Sequence, residues 1–348
     1  MVKSNIIKSV TENGVSINEK VSFLKQPGAY RHPVIKVETK ETHMSWVFIV
    51  NDVVYKLKKP VTYRFLDFRT LEARLNNCRE EIRLNRRLAE GIYIGIVPLV
   101  LNEDGKLQVE GKGQVVEWMV KMKRIPEENL LDYAIEHWRA DEALVKGAAE
   151  LLAEFYKNAP PVHMDPDLYR LKLRDQIISA QTELLQPLYH FPVALVEQVG
   201  NYLIGFLNDH SSLFDKRMAD GKIIEAHGDL RPEHICLAPQ PAIIDSLEFN
   251  RELRVMDIAE ELAYLNLECE MMGNTSTGRF FIDVYKKLTN DNIPGILVNF
   301  YEIKKACLRA YLVARHIEES HYKEDPQWLA RANAYLKLAE NYRRQSAT

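Results

Sequence analysis

Residues 227 to 249 read HGDLRPEHICLAPQPAIIDSLEF, with Asp229 ahead of one short apolar run, ICL, and Asp245 at the end of another, AIID. Ala238 to Pro241 separate the two runs, which therefore read as brief strands of a hairpin bringing both carboxylates to one mouth. Two acids so placed suit metal-assisted phosphoryl transfer. One accepts the proton of an attacking hydroxyl, and the other holds Mg²⁺ against the phosphates. The letters HxDxxxxH (His227, Asp229, His234) also suit zinc, and so a zinc-dependent hydrolase. The bland alternative is a turn that His227 and Asp229 merely cap.

The rest of the chain must position these residues. At 348 residues and 46% hydrophobic content it can bury a substantial core and build two lobes. No leader-like apolar segment and no run of 18 apolar residues is present, so the expected address is the cytoplasm with no membrane partner. Cys78, Cys236, Cys269 and Cys307 form no CxxC pair and read as reduced, mostly buried thiols. Net charge is only -3, against the overall basic balance usual for nucleic-acid binding, yet it is unevenly distributed. Residues 1 to 124 hold 22 Lys+Arg against 14 Asp+Glu, and residues 125 to 348 hold 24 against 35. Such an asymmetry suits an anion, a metal and a cation meeting in a cleft, or simply differing solvated surfaces.

VIKVET (34 to 39), SWVFIV (45 to 50) and VVYKLKK (53 to 59) read as antiparallel strands, with Asn51-Asp52 as a hairpin turn. Leu71, Leu75, Cys78 and Ile82 recur at helical spacing, and Gly91 is placed to end that helix. Strands return from 94 to 122, with turns at Asn102 to Gly105 and Gly111 to Gly113. Beyond residue 125 the pattern predicts helices near 141 to 157, 168 to 186, 193 to 215, 255 to 271, 296 to 321 and 326 to 344. The fold class is α+β, a small antiparallel-sheet lobe with one main helix over residues 1–120 and a larger, mainly helical lobe over 121–348.

HGDLRPEHICL followed by IIDSLEF resembles the catalytic segment of the aminoglycoside phosphotransferase family, which has a bilobal protein-kinase-like fold. ETHMSWVFI, VVYKLKKPV, REEIRLNRRL, VVEWMVKM and DIAEELAYL fall in the order that family shows. More narrowly the chain is similar to an uncharacterised bacterial branch, some members of which carry an added P-loop kinase domain; no GxxxxGK[ST] occurs here. The resemblance implies an ATP-dependent kinase of a small hydroxylated substrate, using Mg²⁺ or Mn²⁺.

Carried residue by residue, the resemblance makes Asp229 the base, His227 a loop-orienting residue and Asp245 the metal ligand. His234 stands where the family usually has Asn. Imidazole is a softer ligand than magnesium takes, so His234 reaches the metal through water, favours Mn²⁺, or braces Asp229. Lys56 is preferred over Lys58 and Lys59 for the α- and β-phosphates, because Val54 lies two residues before it on the same strand face. Glu81, at the border of the helix's apolar stripe, is preferred over Glu80 as its partner. ETKETHMSW has no glycine, which leaves Thr42 and Ser45 as phosphate-contacting donors. The backbone from Glu117 to Met119 is read as a hinge for adenine, and Asp257 as a brace beneath the catalytic loop. Glu248 and Arg309, with Arg315 and Glu252, are candidates for the acceptor. The missing glycines and His234 also motivate a pseudokinase or nucleotide-binding sensor.

Overall fold

The computed structural model describes residues 14–63, 66–318 and 326–346. The chain divides into two units, residues 1–130 with 238–253, and residues 131–237 with 254–348. A single cut at residue 120 is thereby corrected. The strand expected to run to 122 ends at Lys123, past that cut, and the segment carrying Asp245 returns to the first unit. Elements are numbered along the chain.

In the first unit, α1 (Ile17–Leu24) is a short helix opened by a capping box in which Ser16 and Glu19 satisfy each other's amides. β1 (Val37–Glu41), β2 (Ser45–Val50) and β3 (Val53–Lys58) form an antiparallel meander, and Asn51, with φ 52°, makes the tight β2–β3 turn expected there. β1 begins three residues later than the VIKVET run suggests. Two short strands, β4 (Thr62–Tyr63) and β5 (Leu66–Asp67), precede α2 (Leu71–Asn85), which Thr70 caps. β6 (Tyr93–Leu101), β7 (Leu107–Val109) and β8 (Gln114–Lys123) complete a six-stranded sheet of order β1-β2-β3-β8-β6-β7. β11 (Ala242–Ile243) comes from the returning segment.

Alternation along β3 decides the site. Tyr55 and Leu57 point into a core with Phe48, Leu99, Met119 and Leu24 of α1, which sends Lys56 and Lys58 to the opposite face. Helix α2 ends at Asn85, six residues before Gly91, because the amides of Arg87 to Ala89 turn back onto Leu84 and Asn85. Gly91, at φ 79°, shapes the following turn instead.

The second unit begins with α3 (Leu131–Glu136), α4 (Glu142–Asn158) and α5 (Pro166–Leu184). α6 (Val193–Asp209) and α7 (Ser211–Ala219) replace the single helix expected from 193 to 215, the chain breaking at His210. β9 (Ile223–Glu225) pairs antiparallel with β12 (Val255–Asp257), and the loop after β9 carries HGD; β10 (Ile235–Cys236) and the short α8 (Arg251–Arg254) flank the returning segment. α9 (Ile258–Met271) is buried along nearly its whole length, packed by α10 (Thr277–Thr289) and α11 (Gly295–Ala314). α12 (Pro326–Ser346) lies against α11. The sequence reading assigns no element to α1, α3 or α10. No helix among the described residues is long and apolar enough to cross a membrane, and all four cysteines are buried thiols outside any disulfide.

Candidate active site

In the first unit five charged groups close into a chain, buried except at Asp245. Lys56 Nζ lies 3.0 Å from Glu81 Oε1 and 2.6 Å from Asp245 Oδ1. Lys58 Nζ lies 2.5 Å from Glu81 Oε2 and 2.5 Å from Glu248 Oε1. Burial alone would push both lysines toward the neutral form, but the facing carboxylates outweigh it and hold both above the ordinary lysine value. Burial likewise opposes ionisation of Glu81, and the two ammonium groups reverse that, placing it below the usual glutamate value. Glu80 pairs with Arg83 at the surface, so Glu81 is the carboxylate that meets the strand lysines. Glu248 is corrected as an acceptor ligand, because its carboxylate is buried against Lys58.

Asp245 is set in place by the end of α2. Asn85 Oδ1 accepts the Ser246 amide, Leu88 O accepts the Ile243 amide, and Tyr93 Oη accepts the Asp245 amide. Its φ of 61° is a left-handed conformation that a non-glycine residue adopts at a cost of about 1–3 kcal/mol, of the kind that clusters at functional sites. Its side chain is 43% exposed beyond its contact with Lys56.

Two nucleotide contacts expected from sequence are corrected. Thr42 donates its amide and its hydroxyl to Ser45 O, and the Ser45 amide donates to Thr42 Oγ1; the Ser45 hydroxyl is buried without a hydrogen-bond partner. The β1–β2 turn thus engages the Thr42 donors and the Ser45 amide, and leaves the Ser45 hydroxyl unpartnered. Glu117 and Met119 lie mid-strand, Met119 opposite Leu57 on one side and Val97 on the other, so ladder pairing claims its backbone, while Glu117 is paired with Leu99 of β6. Glu117 sends a buried carboxylate to Arg74 and Lys20. The chain leaves the sheet only after Lys123, which moves any hinge to the residues that follow it.

In the second unit Asp229 occupies the loop after β9. Tyr264 donates its hydroxyl to Asp229 Oδ1 at 3.1 Å, and Arg231 Nη2 stands 3.3 Å from Oδ2. Burial would raise the Asp229 carboxyl, but Arg231, His234, Arg309 and His227 together hold it below the ordinary aspartate value. His234 directs Nδ1 to the carbonyl of Asp229 at 2.8 Å while Nε2 faces the Arg231 guanidinium at 3.4 Å. A ring held between a carbonyl and a cation is poorly placed for a metal, so the reading of His234 as a ligand is corrected to a brace. His227 Nδ1 accepts the Asp229 amide at 3.3 Å. With both rings turned to the loop backbone, and no metal-holding cluster of three His, Cys, Asp or Glu among the described residues, the zinc reading loses its ligands.

Glu261 rather than Asp257 braces the loop. Its Oε2 accepts the amide of His227 at 3.0 Å, its Oε1 accepts that of Gly228 at 2.6 Å, and Tyr156 donates its hydroxyl to Oε2. Burial nevertheless pushes the Glu261 carboxyl up. Asp257 caps α9 through the Ala259 amide and is clamped by Arg217, which also holds Asp291. Arg309 of α11 donates Nε to Glu268 at 3.0 Å and lies over the Tyr335 ring, among the charges that act on Asp229. Arg315 lies over Tyr311. Tyr264 and Arg231 have no assigned role in the sequence reading. Arg231 lies in HGDLRPEHICL and Tyr264 in DIAEELAYL, where the three-residue spacing puts Glu261 and Tyr264 on one helix side.

No family model matches the chain. Uncharacterized proteins of Mycobacterium tuberculosis (strain H37Rv) and Mycobacterium bovis are each 30% identical to it over 298 residues, 80% of this chain and 55% of theirs. The chain spans about half the length of these curated relatives. Among solved structures it is similar to a choline kinase from Cryptosporidium parvum (TM-score 0.54, 12% identity, 94% of each chain). It is also similar to an aminoglycoside 2'-phosphotransferase with GDP (0.53, 15% identity, 91% of this chain and 95% of that one). A choline/ethanolamine kinase family protein from Mesorhizobium loti aligns with TM-score 0.52, 12% identity and 93% of each chain. The fold is therefore the α+β protein-kinase-like fold that aminoglycoside phosphotransferases and choline kinases share, with an antiparallel sheet and one main helix followed by a mainly helical part.

Proposed function

We propose that the protein is an ATP-dependent phosphotransferase that moves the γ-phosphoryl group to a hydroxyl of a small molecule. The observation that carries this reading is the Lys56–Glu81 pair with Asp245 on the same ammonium, three groups brought from a strand, a helix and a returning segment 189 residues away in the chain. That set answers the needs of nucleotide phosphate better than those of stability, because a buried ion pair is weakly stabilising in itself. The names of the similar structures, kinases of choline and an aminoglycoside, support a small acceptor.

On this reading Lys56 neutralises the α- and β-phosphates and Glu81 keeps it extended. Mg²⁺ fits Asp245, a half-exposed hard-oxygen donor, and when bound would offset phosphate charge. Asp229 accepts the acceptor's hydroxyl proton as the new O–P bond forms and the bond to the diphosphate oxygen breaks, the electron pair leaving with the diphosphate. Glu261 and His227 hold the loop so that this carboxylate stays aimed.

The test is Asp229→Asn, assayed by nucleotide binding and by acceptor-dependent nucleotide consumption. Affinity stays near that of the unaltered chain, while transfer falls roughly 10²- to 10⁴-fold, the usual loss on removing a general base. Lost nucleotide binding with turnover per bound nucleotide preserved would remove the base assignment. The β1–β2 turn, whose Thr42 donors and Ser45 amide are engaged internally, favours a second reading as a nucleotide-binding sensor. Nucleotide binding without phosphoryl transfer in any metal, across a broad acceptor screen, would decide for it.

A further inference from the structure

Two guanidinium groups act on Asp229, and one of them has a donor left over. Arg231 places Nη1 2.7 Å from Glu233 Oε1 and Nη2 by Asp229, yet its Nε is buried with no hydrogen-bond partner. Arg309 commits Nε to Glu268 and also hydrogen-bonds the Tyr335 hydroxyl, its guanidinium packed over that ring with the side chain 13% exposed. A buried donor without a partner costs about 1–3 kcal/mol, which is tolerable where a ligand supplies the acceptor atom.

The carboxylates of this unit are arranged the other way. Glu268 accepts from Arg309 and from the Tyr335 hydroxyl, Glu260 holds Lys304 and Lys305, and Glu261 holds the loop amides. Asp132 has a buried, unpartnered oxygen, but its neighbours are Glu233 and Glu136, and burial pushes its carboxyl toward the neutral form. Among these carboxylates, only the Asp132 oxygen and the base itself are left for an ammonium near Asp229. An anion finds guanidinium forks of the kind that suit phosphate and carboxylate, with the Nε–H of Arg231 still without an acceptor.

We infer that the acceptor carries an anionic group, a phosphate or a carboxylate, close to the hydroxyl that is phosphorylated, and that Arg309 and Arg231 read it. This rests on the phosphotransfer reading of Asp229 and sets the acceptor apart from choline, which the name of one similar structure carries.

The experiment compares glycerol 3-phosphate, glycerate, glycerol and choline as acceptors for the full chain, by kcat/KM. Expected is a preference of about tenfold or more for one or both anions, glycerol 3-phosphate against glycerate telling phosphate from carboxylate. Arg309→Gln should narrow that preference by about tenfold through KM, and Arg309→Lys should restore part of it. A preference for choline or glycerol overturns the inference. So does an Arg309→Gln variant whose rates fall equally for every acceptor, which would place the guanidinium on the transferred phosphoryl group. Should Arg309→Gln fail to fold, Arg231→Gln is read by the same ratio. Absence of transfer to all four compounds counts against the phosphotransfer reading, and calorimetry then decides the anion site separately. Binding of glycerol 3-phosphate but not choline, weakened in either variant, upholds the site, and no such difference removes it.

Discussion

Lys56 and Lys58 occupy the same strand face and both grip Glu81, yet their replacement by methionine should have opposite consequences. Lys58 is fully buried between Glu81 and Glu248, whose side chains are 0% and 8% exposed. Removing one partner of such a pair leaves uncompensated buried charge and costs about 3–5 kcal/mol. Lys56 is different: Glu81 keeps Lys58 in its absence, and Asp245, nearly half exposed, is screened by water. Allowing for that screening, Lys56→Met costs about 1–2 kcal/mol. Set against a total stability of about 5–15 kcal/mol, the first change should move the urea midpoint conspicuously and the second little. Circular dichroism in urea and calorimetric titration with ATP and Mg²⁺, run on both variants, separate the two roles. Lys56→Met should stay folded and lose at least tenfold in nucleotide affinity, a loss of about 1.4 kcal/mol or more. A Lys58→Met chain as stable as the unaltered one, or a Lys56→Met chain that keeps its affinity, would refute this division of labour.

Asp245→Asn should abolish the metal dependence of nucleotide binding, since an amide cannot replace the carboxylate charge against Mg²⁺, and titration with and without the metal reads this out. Glu261→Gln leaves only one acceptor oxygen for two loop amides, so hydrogen exchange at His227 and Gly228 should accelerate and transfer should fall while nucleotide affinity holds. Glu302, buried on α11 with Asn266 donating to it, Glu270 repelling it and Arg279 opposing that repulsion, is raised by burial to about 7. The folded chain therefore holds a proton that the unfolded chain has already lost between the ordinary glutamate value and about pH 7, so this contribution to stability is present in acid and is lost as pH rises through that window. Glu302→Gln should consequently stabilise the chain by up to about 3 kcal/mol at pH 8 and by little at pH 4, measured by urea unfolding at both.

The sequence exposed what local chemistry encodes. The β2–β3 turn follows from Asn51-Asp52, the lysine face from period-two alternation, and Glu81 over Glu80 from the angular position of each on one helix. Helix ends were less legible, because α2 stops where the amides that follow it turn back onto its last carbonyls and not where glycine permits it to stop. Partners distant in sequence were not legible at all. Nothing in KLKK says that Lys58 will be neutralised by Glu248, or that Asp245 will be seated by Asn85 and Tyr93, since those contacts exist only once residues 238–253 return to the first unit. The exchange of Asp257 for Glu261 has the same origin. Both acids face one side of α9, and only the pairing of β12 with β9 decides that the first meets Arg217 and the second meets the loop amides.

The surroundings of Asp229 bear on how a base of this kind contributes. A carboxylate held below its ordinary range is ionised throughout the neutral region, but it is a weak base, and weak basicity limits the driving force for taking a proton early in the reaction. Phosphoryl transfer with a loose transition state asks little of that driving force, because the attacking oxygen keeps most of its proton until late. What it asks is aim. A carboxylate offers about four lone-pair sites; Tyr264 takes one on Oδ1 and Arg231 stands against Oδ2, so a substrate hydroxyl must use the directions those two leave. Arg231, which depresses the basicity of Asp229, thus narrows with Tyr264 the directions from which it accepts, and on the inference above the unpartnered Nε of Arg231 would help an anionic group on the substrate fix that approach further.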